Sequence, residues 1–163
     1  MNNIQIRIQK PTRSQRDYYD GRKGFHCQSY LFIHDGSGKA VYIHGGERGA
    51  TNDTTLLARS SFGRNVNRYV GNGDYVICDG AWRNEGAPFL CRFTDRTYLT
   101  APEMAFNYII SDKRVLCENY YGRMHALFPI LNYFRQRLDK LDVWVRALSF
   151  LTNVHIEHQA PLR

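Results

Sequence analysis

Ile4, Ile6 and Ile8 alternate with Gln5, Arg7 and Gln9. That period of two predicts a strand with one apolar face. Pro11 ends it, because proline has no N–H to give to a ladder. Residues 12–24 are polar and charged, with Gly21 and Gly24, and read as a loop. Residues 25–34 and 40–44 are rich in β-forming types and flank Asp35-Gly36-Ser37-Gly38-Lys39, a hairpin signal. Gly45, Gly46 and Gly49 are expected to break the second strand.

Further along, the pattern turns helical. Asn52 or Asp53 is placed to cap a helix running to about Ser60, with Leu56 and Leu57 inward. Residues 71–74 (Gly-Asn-Gly-Asp) form a turn. Residues 75–78 are a short apolar run, expected as a central strand buried on both faces and ending at Asp79-Gly80. Residues 81–103, with Pro88 and Pro102, read as irregular. A long helix is expected from Ser111 or Asp112, with Val115, Glu118 and Gly122 on one face. More helix is expected over 127–137. The last helix spans about 139–153, with Leu141, Trp144, Val145, Leu148 and Leu151 as its core stripe. The order of elements predicts an α/β fold: a mixed sheet with helices on its faces.

Composition narrows this picture. The 163 residues suit one domain, 1–163, and 43% hydrophobic with 13% aromatic residues excludes a disordered chain. No apolar run reaches the roughly 18–20 residues of a membrane span, and residues 1–6 do not resemble a signal peptide. The expected location is nucleus or cytoplasm. Lysine and arginine number 22 against 15 acids, a net +7, which favours a polyanionic partner such as nucleic acid. Cys27, Cys78, Cys91 and Cys117 form no C-x-x-C pair and read as reduced core thiols. His155 and His158 have a surface or capping role.

Two acids stand where chemistry is expected. Asp79 sits at the carboxyl end of a buried strand, where open α/β sheets hold ligands; the alternative is a turn-forming Asp before Gly80. Glu118 lies on the face expected to be the inner one of its helix. Either Arg114, four residues earlier, neutralises it, or a metal does.

Residues 7–11 (Arg-Ile-Gln-Lys-Pro), then residues 18–26 (Tyr-Tyr-Asp-Gly-Arg-Lys-Gly-Phe-His), resemble the opening of the catalytic domain of Harbinger-like and related bacterial insertion-sequence transposases. Asp35 with Gly38, and residues 49–53 (Gly-Ala-Thr-Asn-Asp), match their next landmarks. Residues 76–80 (Val-Ile-Cys-Asp-Gly) look like the strand bearing the second acid of a DDE triad. Residues 114–119 (Arg-Val-Leu-Cys-Glu-Asn) look like the helix bearing the third, and residues 147–155 like the closing helix. The resemblance implies a ribonuclease H-like fold, with a central mixed sheet and helices on both faces. It also implies two Mg2+ or Mn2+ ions held by three carboxylates, and DNA phosphodiester chemistry by the two-metal route. Asp79 and Glu118 are the implied catalytic and metal residues. DNA is the implied partner, with a homodimer or a partner protein as further options. Arg22, Lys23, Arg114 and Arg123 are candidate DNA contacts. For Arg22 and Lys23 the alternative is a solvated loop, and for Arg123 a surface salt bridge.

Counted back nine residues from Pro11, the family's first acid falls on Asn2. The metal ligand there is an amide, which supplies no negative charge and cannot bridge two ions as a carboxylate does. Asp53 is a candidate substitute ligand, its alternative being helix capping. The chain also reads as N-terminally truncated relative to full-length transposases, which carry a helical DNA-binding segment before this domain. These departures imply an impaired nuclease or an inactive DNA- or protein-binding module.

Overall fold

The computed structural model describes residues 1–94 and 98–158, without the side chain of Asn84. Its centre is β3 (Phe25–His34), on which β1 (Asn2–Arg7), β2 (Tyr19–Asp20) and β4 (Ala40–Arg48) all pair antiparallel. Period two along β3 explains its burial on both faces. Tyr30 and Phe32 point with Ile4, Ile6 and Ile8 toward one layer, whose other side is Tyr120, Met124, Leu141, Val145, Leu148 and Ile156. Leu31, between them, faces the opposite layer with Leu56, Leu57, Phe62, Val76, Cys78 and Trp82. The first layer belongs to α5 (Ala101–Leu127) and α6 (Leu141–His158). The second is built largely by α2 (Asp53–Arg59) and the short α3 (Ser61–Arg64). The expected mixed α/β architecture with helices on both faces is present.

The hairpin and the strand at Ile4 form as the sequence predicts, and Asn52 caps α2 by accepting from Thr55 N–H at 2.8 Å. Other expectations need correction. Residues 12–24 contain a helical turn, α1 (Gln15–Tyr18), and β2, both packed on β3. β4 does not stop at Gly45 but runs to Arg48 across a register shift at Ser29/Tyr30. A Cβ on Gly45 would lie 2.5 Å from the Tyr30 ring, so glycine here lets two backbones approach rather than ending the strand. The run 75–78 yields only the two-residue β5 (Val76–Ile77), with Tyr75 exposed.

The segment 81–103 is more regular than expected, although residues 95–97 lie outside the described residues. A 3-10 helix covers Gly80–Glu85, and β6 (Phe89–Leu90) pairs parallel with β5. α5 begins some ten residues before Ser111. Thr100 is its N-cap, Glu103 accepts from the Thr100 N–H at 2.8 Å, and Pro102 sits in the first turn, where its missing N–H costs nothing. Its buried face carries Asn107, Ile110, Cys117, Tyr120 and Met124. Val115, Glu118 and Gly122 do share a face, but it is the solvent-facing one.

Residues 128–137, expected to be helical with Leu127, are not α-helical. Pro129–Leu131 make a 3-10 turn, and Phe134 is pulled alongside β1, its N–H donating to Arg7 O (2.8 Å) and its carbonyl accepting from Gln9 N–H (3.0 Å). An open strand edge outcompetes helix propensity here. In α6 the buried stripe is Leu141, Val145, Leu148, Ser149, Thr152 and Ile156. Trp144 and Leu151 are 40% and 48% exposed, and Val143 and Phe150 are more so. An all-round apolar helix hides its true inward face.

Each long helix also carries one amide that pairs with a single backbone residue. Asn153 on α6 accepts from Ala40 N–H (3.0 Å) and donates to Ala40 O (2.8 Å). Asn107 on α5 accepts from Phe93 N–H (2.8 Å) and donates to Phe93 O (2.8 Å). Replacing Asn153 with alanine strands both groups of Ala40, and urea denaturation is expected to show a loss of about 1–3 kcal/mol. An unchanged midpoint would mean water replaces the amide without cost.

Candidate active site

β1 delivers Asn2 and Asn3 to one end of the sheet, and β5 delivers Asp79 beside them. The Met1 nitrogen donates to Ile77 O at 2.6 Å, holding the start of β1 alongside β5. An open cleft of about 560 Å³ results, lined by Asn2, Asn3, Gln5, Arg22, Lys23, Asp53, Asp79 and Trp82, among others. An adjoining cleft of about 530 Å³ shares Arg22 and Asp53.

Asp79 uses its Oδ1 twice. It accepts from Gly80 N–H at 2.8 Å, the turn role, and lies 3.4 Å from the Arg114 guanidinium. Of the two alternatives for Glu118, pairing with Arg114 or with a metal, the first does not occur: Arg114 reaches across to Asp79 instead, from the half-buried flank of α5. Glu118, one turn further on, is exposed and is not among the residues lining the cleft. Its charge therefore needs no buried partner, which removes the reason for expecting a salt bridge. Arg123 is half-buried near the end of α5. The structure thus brings Asn2, Asp79, Arg22 and Lys23 to one cleft and ties Arg114 to it.

Because Asn52 caps α2, Asp53 is spared that task. Its Oδ1 accepts from Asn3 Nδ2 at 2.5 Å, and its carbonyl accepts from the Trp82 indole at 3.1 Å. Trp82 is fully buried, a core residue whose polar edge positions the helix start beneath the cleft.

Asp20 was missed from the sequence. It is 5% exposed, accepts from Gln5 Nε2 (2.5 Å), and accepts from the backbone N–H groups of Arg22 (2.8 Å) and Lys23 (3.2 Å). Burial pushes its pKa up, but these bonds outweigh it and hold the carboxyl below its ordinary value. The ionised Asp20 shapes the turn that presents Arg22 and Lys23. The sequence reading places Asp20 in a loop; only the fold shows that its carboxylate is anchored by a strand residue.

The sequence model for the family described as DDE superfamily endonuclease matches residues 1–153. The chain belongs to that family. As a DDE superfamily endonuclease it is a transposase-derived nuclease domain, a class that generally uses divalent metals. No curated protein and no solved structure matches it. No helix among the described residues is long and apolar enough to cross a membrane.

Hard divalent ions require several anionic oxygens. Among the described residues no three His, Cys, Asp or Glu side chains converge as such a group. The cleft supplies the carboxylates of Asp53 and Asp79, each already engaged by a donor, and the amides of Asn2 and Asn3. These residues do not fit a three-carboxylate, two-ion site.

Arg114 also lines a smaller cavity of about 240 Å³, with His34, Ile77 and Cys117 among others. Both His34 ring nitrogens are buried without a hydrogen-bond partner among the described residues, and the ring packs on Phe32, Tyr120 and Tyr121. Burial pushes its pKa from 6.5 down to about 3. A folded pKa below the unfolded one means the neutral ring's contribution is complete above about pH 6.5 and is lost as pH falls toward 3. His34→Phe is expected to remove up to about 1.4 kcal/mol per pH unit from the acid slope of stability between pH 6 and 4. Denaturation curves at several pH values measure this; equal slopes for both proteins would show that His34 is hydrated.

Proposed function

We propose that this domain binds a DNA backbone in the Asn2–Asp79 cleft, and that its divalent-metal-dependent phosphodiester cleavage is impaired by the amide at position 2. The observation that carries this reading is that Asn2 lines the same cleft as Asp79. In the resemblance drawn from the sequence, those positions hold the first and second acids of the triad. An amide oxygen there lacks the charge that would hold and bridge hard cations. Arg22 and Lys23 line the same cleft and suit a phosphate chain, with the net charge of +7 adding long-range attraction.

In this reading the sheet is ribonuclease H-like. β4-β3-β1 and β5-β6 lie in two separate sheets, and the hydrogen bond from Met1 to Ile77 supports reading them as one, with β5 beside β1. Glu118 is the third acid, on the outward face of α5 one turn after Arg114, and in this structure it does not line the cleft. Mg2+ or Mn2+ is the expected ion. A second reading is an inactive module that keeps the fold to bind DNA or a protein. The incomplete acid group favours it, and the Asp79–Arg114 pair supplies the charge compensation a catalytic site would leave to a metal.

Nicking of supercoiled DNA in manganese separates the two readings. Asn2→Asp is expected to raise the rate at least roughly tenfold, a barrier change of about 1.4 kcal/mol or more. Adding Glu118→Gln to Asn2→Asp is expected to abolish the gain. If neither wild type nor Asn2→Asp nicks while both remain folded, the domain is a binding module. Arg22→Ala with Lys23→Ala is expected to weaken DNA binding at low salt and flatten its salt dependence, read by fluorescence anisotropy. Unaltered binding would exclude this cleft as the DNA site.

A further inference from the structure

Cys78 and Cys91 stand opposite one another at the end of the parallel β5–β6 ladder. Val76 pairs with Phe89 and Ile77 with Leu90, and Cys78 N–H donates to Leu90 O at 3.0 Å, so the next rung is Cys78 with Cys91. Neighbouring strands lie about 4.8 Å apart, within the Cα separation of about 4.4–6.8 Å that a disulfide spans. The two sulfurs are 2.8 Å apart, and both cysteines are free thiols. Closing to a bond requires a movement of less than about 1 Å. Cys78 is fully buried, whereas Cys91 is half-buried and within reach of a small molecule.

We infer that Cys78 and Cys91 are an oxidative modification site, converted by a small-molecule disulfide into an intrachain cystine beside Asp79. The Cys91 thiolate attacks the reagent disulfide, its proton going to solvent, and one reagent thiolate leaves. Cys78 then loses its proton and attacks the Cys91 sulfur of the mixed disulfide, expelling the second reagent thiolate. The protein loses two electrons and two protons, and the reagent gains them as two thiols. Cys78 is fully buried and Cys91 is not, which sets the order: Cys91 meets the reagent first and Cys78 resolves.

The bond would act on the turn that carries Asp79. Cys91 Sγ now donates to the Asp79 carbonyl at 3.1 Å. Oxidation removes that proton and replaces two weak sulfur contacts with a covalent tie between the strand before Asp79 and the strand after the 3-10 turn. Cys27 and Cys117 are buried elsewhere, Cys27 with its pKa raised to about 12 by burial, and are expected to stay reduced.

The native chain is incubated with oxidised glutathione, quenched in acid, alkylated and digested for mass spectrometry. The expected result is that alkylation falls from four cysteines to two, with one peptide pair joined through Cys78 and Cys91, and that dithiothreitol restores all four. The thermal midpoint of the oxidised protein is expected to rise by a few degrees. Four alkylated cysteines under conditions that oxidise the urea-unfolded chain would overturn the inference. So would a bond involving Cys27 or Cys117, or glutathione retained on Cys91 beside a free Cys78. Because wild type carries the test, no variant needs to fold.

Discussion

Everything in this domain hangs on β3. Among the described residues it is the one strand that three others pair with, and its alternation sends Tyr30 and Phe32 into the α5–α6 layer and Leu31 into the α2 layer. A one-residue slip of β3 would exchange the two cores, so its register is fixed by both at once. That register fixes the site. Asn2 opposite Phe32 and Asn3 opposite Leu31 place the two amides at the sheet end, where the β5 turn brings Asp79.

The site is built by indirect means. Asp20, held on Gln5, shapes the basic turn; Trp82, buried beneath, fixes the start of α2; Arg114 spans from α5 to Asp79. Each of these groups acts on a cleft residue from outside the triad positions. In the proposed reading, the framework of a DDE nuclease is kept where packing and hydrogen bonding maintain it, and altered at Asn2, where the resemblance places a charged ligand. The strand end is closed by the amides themselves: Asn2 Oδ1 accepts from the Asn3 N–H, and Asn3 Nδ2 donates to Asp53.

Strands with clean alternation were legible in the sequence. Ile4, Ile6 and Ile8 and the hairpin around Asp35–Lys39 needed no tertiary knowledge, nor did the Asn52 cap. Misread elements were those where a long-range partner decides. Phe134 is extended because β1 has a free edge; Gly45 continues a strand because Tyr30 lies against it; Pro102 opens a helix because Thr100 and Glu103 cap it. On α6, Trp144 and Leu151 resembled core because apolar residues surround the helix, and only the position of the sheet selects its inner face. Of the site, Asn2, Asp79, Arg22 and Lys23 were legible and converge. The partner of Arg114 and the outward placement of Glu118 were not, because spacing along one helix cannot show what lies across a cleft.

The paired amides on the two long helices have a consequence for how this protein ages. Asn153 and Asn107 each imitate a peptide group, offering one donor and one acceptor to a single backbone residue. Hydrolysis of either side-chain amide would leave a carboxylate that still accepts from the N–H but now faces a carbonyl with like polarity. Loss of one amide nitrogen would thus turn a helix anchor into a repulsive contact.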